Sequence, residues 1–127
     1  MDAARKGIIT PELTKVAVKE HMREDELLPL VAKGRVVIPA NKLHTCLDPE
    51  GIGSMLQTKI NVNLGISRDC KDYDIEMKKV MEAVNLGAHA IMDLSSHGNT
   101  EPFRRKLIAE CPVMVGTVPI YDSVIHY

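Results

Sequence analysis

Apolar residues recur along this chain in two rhythms, and the change between them organises the sequence. In the first part, Leu13, Val16 and Ala17 share one face of a helix. A strong start signal precedes them: Thr10 offers an oxygen to an unpaired backbone N–H, Pro11 suits the first helical position, and Glu12 suits the positive helix end. A second short helix is expected around 24–33, closing at Gly34, with Pro29 either in its first turn or kinking it. Val36-Val37-Ile38 reads as a short strand stopped by Pro39. Residues 40–56 have no periodic pattern and read as a long loop carrying Asn41, His44 and a flexible Gly51-Ile52-Gly53 segment. A loop longer than about 15 residues in a compact domain is usually functional or disordered.

From Thr58 the pattern alternates between strand and helix. Lys59–Leu64 reads as a strand. Met77, Val80, Met81, Val84 and Ala88 then fall on one side of an amphipathic helix that ends near Gly87. Ala90–Leu94 is the next strand, and Asn99 or Thr100 caps a helix through Phe103, Leu107 and Ile108. Val113–Val118 is a third strand, and Pro119 opens a further helix. Residues 58–127 thus read β-α-β-α-β-α, which requires parallel strands and right-handed crossovers. The fold class is α/β, with either a TIM barrel or a doubly wound sheet in view. A closed barrel takes about 250 residues, so about three of its eight units would be present.

Composition narrows the functional classes. With 127 residues the chain is one domain at most, and its net charge of −1 argues against nucleic acid as a partner. There is no Trp and only one Phe, so stacking platforms for single strands are not expected. No apolar run approaches the ~20 residues that span a bilayer, and Met1–Gly7 lacks the form of a secretory signal. The expectation is therefore a cytoplasmic protein with no membrane partner. Cys46, Cys70 and Cys111 are widely spaced and odd in number, which suits reduced thiols. No nucleotide-binding glycine motif is present. His89 and His97 come nearest to a metal pair, but a strand lies between them and they read as surface histidines. Glu24-Asp25-Glu26 is most simply a solvated helix start.

Ligands of parallel α/β folds meet the chain just past the carboxyl ends of the strands. Three segments lie there. In Asn61-Val62-Asn63-Leu64-Gly65 both carboxamides share one face of a strand, implying a ligand or a polar interior, or else a turn-forming Asn before Gly65. Met92-Asp93-Leu94-Ser95-Ser96-His97-Gly98 can hold a phosphate, a sugar hydroxyl or a proton, or it is a capping loop with a solvated histidine. Gly116–Tyr121 presents a helix start and a phenol, which either meet an anion or pack.

Five motifs occur in order: Ala-Ala-Arg-Lys-Gly-Ile-Ile-Thr-Pro-Glu (3–12), Gly-Arg-Val-Val-Ile-Pro-Ala-Asn (34–41), Lys-Ile-Asn-Val-Asn-Leu-Gly (59–65), Met-Asp-Leu-Ser (92–95) and Gly-Thr-Val-Pro-Ile-Tyr (116–121). Together they resemble the phosphomethylpyrimidine synthase family of radical S-adenosylmethionine enzymes over essentially the whole chain. The paralogues that make 5-hydroxybenzimidazole for cobamides are similar as well. The resemblance implies a TIM barrel behind a small N-terminal region: residues 1–56 form that helical and loop region, and 57–127 the first three βα units of an incomplete barrel. It implies 5-aminoimidazole ribotide as substrate, hydroxymethylpyrimidine phosphate as the thiamin precursor formed, and a [4Fe–4S] cluster with S-adenosylmethionine as cofactors. The family's substrate contacts fall on Asn63, Met92 and Tyr121: an amide, an apolar wall and a hydroxyl donor.

Two departures matter. The family's usual Ser-Thr-Gly is here Ser95-Ser96-His97. The later strands, the metal-binding histidines and the Cys-x-x-Cys-x-x-x-x-Cys cluster motif are missing, and Cys46, Cys70 and Cys111 have the wrong spacing to replace it. The chain is therefore expected to be the N-terminal part of the lyase and inactive alone. A fragment of the benzimidazole synthase, or a non-catalytic binding or assembly module from a truncated gene, are the alternatives. A three-strand piece of a barrel exposes edges, so the expected partner is a second copy or the remainder of the barrel.

Overall fold

The structure is a computed structural model that describes residues 1–126, with the side chains of 125 and 126 excepted. Tyr127, the last residue of the expected barrel portion, lies outside the described residues. The chain divides into two compact units, Met1–Lys42 with Asp48–Lys59, and Leu43–Leu47 with Ile60–Tyr127.

The first unit contains α1 (Asp2–Arg5), α2 (Pro11–Lys19), α3 (Glu24–Ala32), β1 (Val36–Val37) and β2 (Ile52–Gly53). Its core is Ala4, Leu13, Val16, Ala17, Leu27, Val31 and Val36. The Thr10 hydroxyl accepts the Leu13 N–H at 3.3 Å, so α2 starts where its cap requires. Helix α3 begins with the Glu26 carboxylate accepting the Arg23 N–H at 3.1 Å. Its end is a Schellman turn: Arg35 N–H bonds Leu30 O at 2.9 Å, Gly34 N–H bonds Val31 O at 3.1 Å, and Gly34 takes a φ of 71°. Pro29 lies inside α3, past its first turn. It sits on the exposed side, where the carbonyl that loses its partner can face water.

Residues 40–56 are not all loop. Strand β2 pairs antiparallel with β1, Val36 opposite Gly53 and Val37 opposite Ile52. The glycines that read as flexible are where the backbone packs closest. A Cβ on Gly53 would lie 2.1 Å from Arg35 O, and one on Gly51 2.6 Å from a Val16 methyl. Close approach, not mobility, explains them. Helix α1 is a further element without a signal in the apolar pattern.

The second unit alternates β3 (Asn61–Leu64), α4 (Tyr73–Asn85), β4 (Ala90–Asp93), α5 (Glu101–Glu110), β5 (Met114–Thr117) and α6 (Pro119–His126). The strands form a parallel sheet in the order β3-β4-β5, so the α/β class and the parallel pairing are observed. Val62, Leu64, Ile91, Val113 and Val115 pack into one core with Ile66, Met77, Val80, Phe103 and Leu107. Helix α4 is capped by Asp72, whose carboxylate accepts the N–H groups of Asp74 and Ile75. It closes in a second Schellman turn at Gly87, φ 91°. Of its periodic residues, Met77 and Val80 are buried, whereas Met81 lies at the exposed margin of the face.

The cap of α5 is divided between two residues. Asn99 Oδ1 accepts the Glu101 N–H at 3.3 Å, while the Thr100 hydroxyl turns away to Asp122. His89 is no free surface residue: its Nδ1 accepts the Ile60 N–H at 3.1 Å, fixing the start of β3 beside β4. His44 is buried, with Nε2 2.6 Å from Cys111 O, so that nitrogen carries the proton and donates. No helix among the described residues is long and apolar enough to cross a membrane.

Candidate functional site

Side chains alternate across a sheet, so register decides which residues meet. Asn63 stands opposite Met92, and Met92 opposite Gly116. All three project from the face opposite the apolar core, whereas their neighbours Val62, Ile91 and Val115 project into that core. Asn61 and Asn63 are exposed on this face, and Asn61 Nδ2 donates to Asn63 Oδ1 at 2.9 Å. The bond orients the Asn63 amide so that its NH2 group is left to donate outward. Met92 is half-buried. Its thioether reaches over β5, where a Cβ on Gly116 would come within 2.9 Å of the terminal methyl. Gly116 is therefore what lets Met92 lie flat, a role that spacing alone does not signal.

Tyr121 lies in the first turn of α6, just past the end of β5, and is 39% exposed. Two of the three expected residues are thus register partners, and the third sits at the same carboxyl end of the sheet.

The Asp93–His97 segment behaves differently. Parity sends Asp93 to the helix side of the sheet, where it is fully buried. Its Oδ1 accepts the Ser95 N–H at 2.9 Å and the Ser95 hydroxyl, and its Oδ2 accepts Arg104 Nε at 2.7 Å. Ser95 Oγ also accepts the Ile66 N–H at 2.9 Å, tying the loop after β4 to the loop after β3. Asp93 and Ser95 therefore spend their polar atoms inside the protein, while His97 is half-buried beside them.

Arg104, Asp122 and Glu76, which the apolar pattern does not single out, complete this end of the sheet. Arg104 bridges Asp93 to Asp122, its Nη1 donating to Asp122 Oδ2, and Thr100 donates to Asp122 Oδ1 at 2.9 Å. Burial opposes the charge on Arg104, but the hydrogen bonds to Asp122 and Asp93 outweigh it and hold the guanidinium above its ordinary range. Glu76 is buried in α4, accepting the Gly65 N–H at 3.2 Å, the Cys70 thiol at 3.4 Å and the Lys79 ammonium at 2.5 Å. It anchors the loop after β3. The only signal for it in the sequence is its place beside Met77 on the inner side of α4.

The profile described as Radical SAM ThiC family matches residues 1–127. The chain belongs to the radical SAM ThiC family. Over all of its 127 residues it is 59% identical to the phosphomethylpyrimidine synthase of Clostridium botulinum (strain Hall) and 61% identical to that of Alkaliphilus oremlandii (strain OhILAs). It spans 29% of the length of each of these relatives and corresponds to their N-terminal part.

Membership of a radical SAM family implies an iron–sulfur cluster and S-adenosylmethionine for the full-length protein. The residues present here do not fit the cluster. Cys46 directs its thiol to the carbonyls of Cys111 and Ile108, Cys70 to Glu76, and Cys111 to Val113. Burial pushes the Cys111 thiol up, away from the thiolate a metal needs. Among the described residues no group of three or more His, Cys, Asp or Glu could hold a metal ion.

Proposed function

We propose that this chain is the N-terminal part of a phosphomethylpyrimidine synthase, and that it supplies one wall of the site for 5-aminoimidazole ribotide. On this reading residues 1–56 form the N-terminal region, and β3, β4 and β5 open a TIM barrel within 57–127. One observation carries it: in a chain matched over its whole length by the family, Asn63 and Met92 are register partners on the sheet face turned away from the core. That face becomes the barrel interior if the sheet closes. Asn63 then donates its amide to a ring nitrogen or hydroxyl, Met92 lines an apolar wall, and Tyr121 donates a hydroxyl at the mouth. The names of the relatives favour the pyrimidine product over a benzimidazole.

The cluster and S-adenosylmethionine supply the radical chemistry in the full-length enzyme, and the cysteine motif that holds the cluster is not among these 127 residues. The part played by this chain is binding and orientation. By itself it is catalytically silent, and its working partner is the remainder of the barrel.

Calorimetric titration of the chain with the ribotide tests the reading. Weak binding is expected, reduced about five- to fiftyfold in Asn63→Ala and in Tyr121→Phe, the cost of one hydrogen bond each. Unchanged affinity in both variants would withdraw the site.

A further inference from the structure

The Asp93–Arg104–Asp122 bridge joins the two segments that carry the proposed ligand contacts. Asp93 immediately follows Met92 at the end of β4, and Asp122 immediately follows Tyr121 in α6. Between them lies one guanidinium, bonded through Nε to Asp93 and through Nη1 to Asp122. The Asp93 end cannot shift easily. Its carboxylate is buried and also holds the Ser95 amide and hydroxyl. The Asp122 end is a quarter exposed and belongs to a helix whose residues Ile120, Tyr121 and Val124 are all exposed. These described apolar side chains of α6 are exposed, and Asp122 ties the helix to Arg104 and Thr100 through hydrogen bonds.

As a source of stability the bridge is a poor device. Removing a guanidinium from water cancels much of its attraction to the two carboxylates. Arg104 Nη2 is buried and has no hydrogen-bond partner among the described residues, which adds a further cost. What the arrangement does well is geometry, because a planar fork holds two carboxylates in a set relation that an ammonium cannot reproduce.

We propose that Arg104 is a positioning residue for the ribotide site: through Asp122 it holds α6, and so places the Tyr121 hydroxyl relative to Met92. This rests on the reading of Asn63, Met92 and Tyr121 as substrate contacts. Arg104 itself touches no substrate.

The test uses the whole chain labelled with 3-fluorotyrosine, the Tyr121 fluorine resonance being assigned by its loss in Tyr121→Phe. Arg104→Met and Asp122→Asn should both move or broaden that resonance and weaken ribotide binding, by no more than the roughly five- to fiftyfold expected for Tyr121→Phe. Arg105→Met, which removes an exposed pair with Glu101 on the same helix, should do neither. Asp122→Asn cuts the bridge at its exposed end and serves if Arg104→Met does not fold. A Tyr121 resonance unchanged in the folded variants would overturn the inference, as would a moved resonance with unchanged affinity. Asn63→Ala separates the two ideas: if it and Tyr121→Phe bind the ribotide like the wild type, the site reading fails, while the fluorine spectrum still decides whether Arg104 places Tyr121.

Discussion

Gly65 follows β3 with a φ of 144°, and a Cβ there would lie 2.5 Å from the Ser95 amide nitrogen and 3.0 Å from Asp93 Oδ1. Both the backbone conformation and the space demand glycine. Gly65→Ala should therefore lose about 1–3 kcal/mol in urea unfolding, because neither buried backbone nor a buried carboxylate can give way. Gly116 makes the contrasting case. A Cβ there meets only the far end of the Met92 side chain, which can turn aside. Gly116→Ala should fold with little loss of stability, yet shift the Met92 methyl resonance and weaken ribotide binding, because the wall has moved. Alternation along β3 is readable in the sequence and is enough to place Asn61 and Asn63 on one face, whereas the register that sets Asn63 opposite Met92 comes from the sheet. Nor does the sequence reveal that Asp93, which parity turns inward, is bonded to Arg104, a residue in the next helix.

Pairs between elements are the part that local pattern cannot supply. Lys106 of α5 reaches Asp74 of α4 at 2.8 Å. The hydrogen bond from Lys106 holds the Asp74 carboxyl below its ordinary value, and the same bond raises Lys106. A depressed carboxyl contributes stability above its unfolded pKa and loses it as pH falls through the lower, folded value. The raised lysine contributes below its unfolded pKa and loses it as pH rises through the higher, folded one. The small advantage of wild type over Asp74→Asn should thus be present near neutrality and vanish as acid protonates Asp74 below 3.8. High salt should also reduce it, since the pair is exposed. In the first unit, Lys59 and Glu20 form an ion pair whose side chains are 8% and 3% exposed. Lys59→Met leaves that carboxylate buried without the ammonium and should cost about 3–5 kcal/mol in urea unfolding, much of it regained in Lys59→Met/Glu20→Leu. Helix boundaries, by contrast, are legible at Thr10, Gly34 and Gly87, which act at their own positions through backbone groups only a few residues away.

At the scale of the whole molecule, β3 and β5 each pair with one strand among the described residues, as the two edges of the sheet. The chain should therefore self-associate with rising concentration in sedimentation velocity, and the remaining part of a relative's barrel should suppress this by pairing with those edges. Self-association unaffected by that remainder would count against the barrel reading. By itself the sequence determined the alternation of strands and helices, their parallel pairing, the helix ends at Thr10, Gly34 and Gly87 and the face shared by Asn61 and Asn63, because each depends on periodicity or on neighbours within a turn. Only the tertiary structure decided that β2 pairs with β1, that Glu76, Arg104 and Asp122 hold the carboxyl end of the sheet, and that Asp93 and Ser95 serve the fold. Those outcomes depend on burial and on partners distant in sequence, where the geometry of packing selects which polar groups can be satisfied.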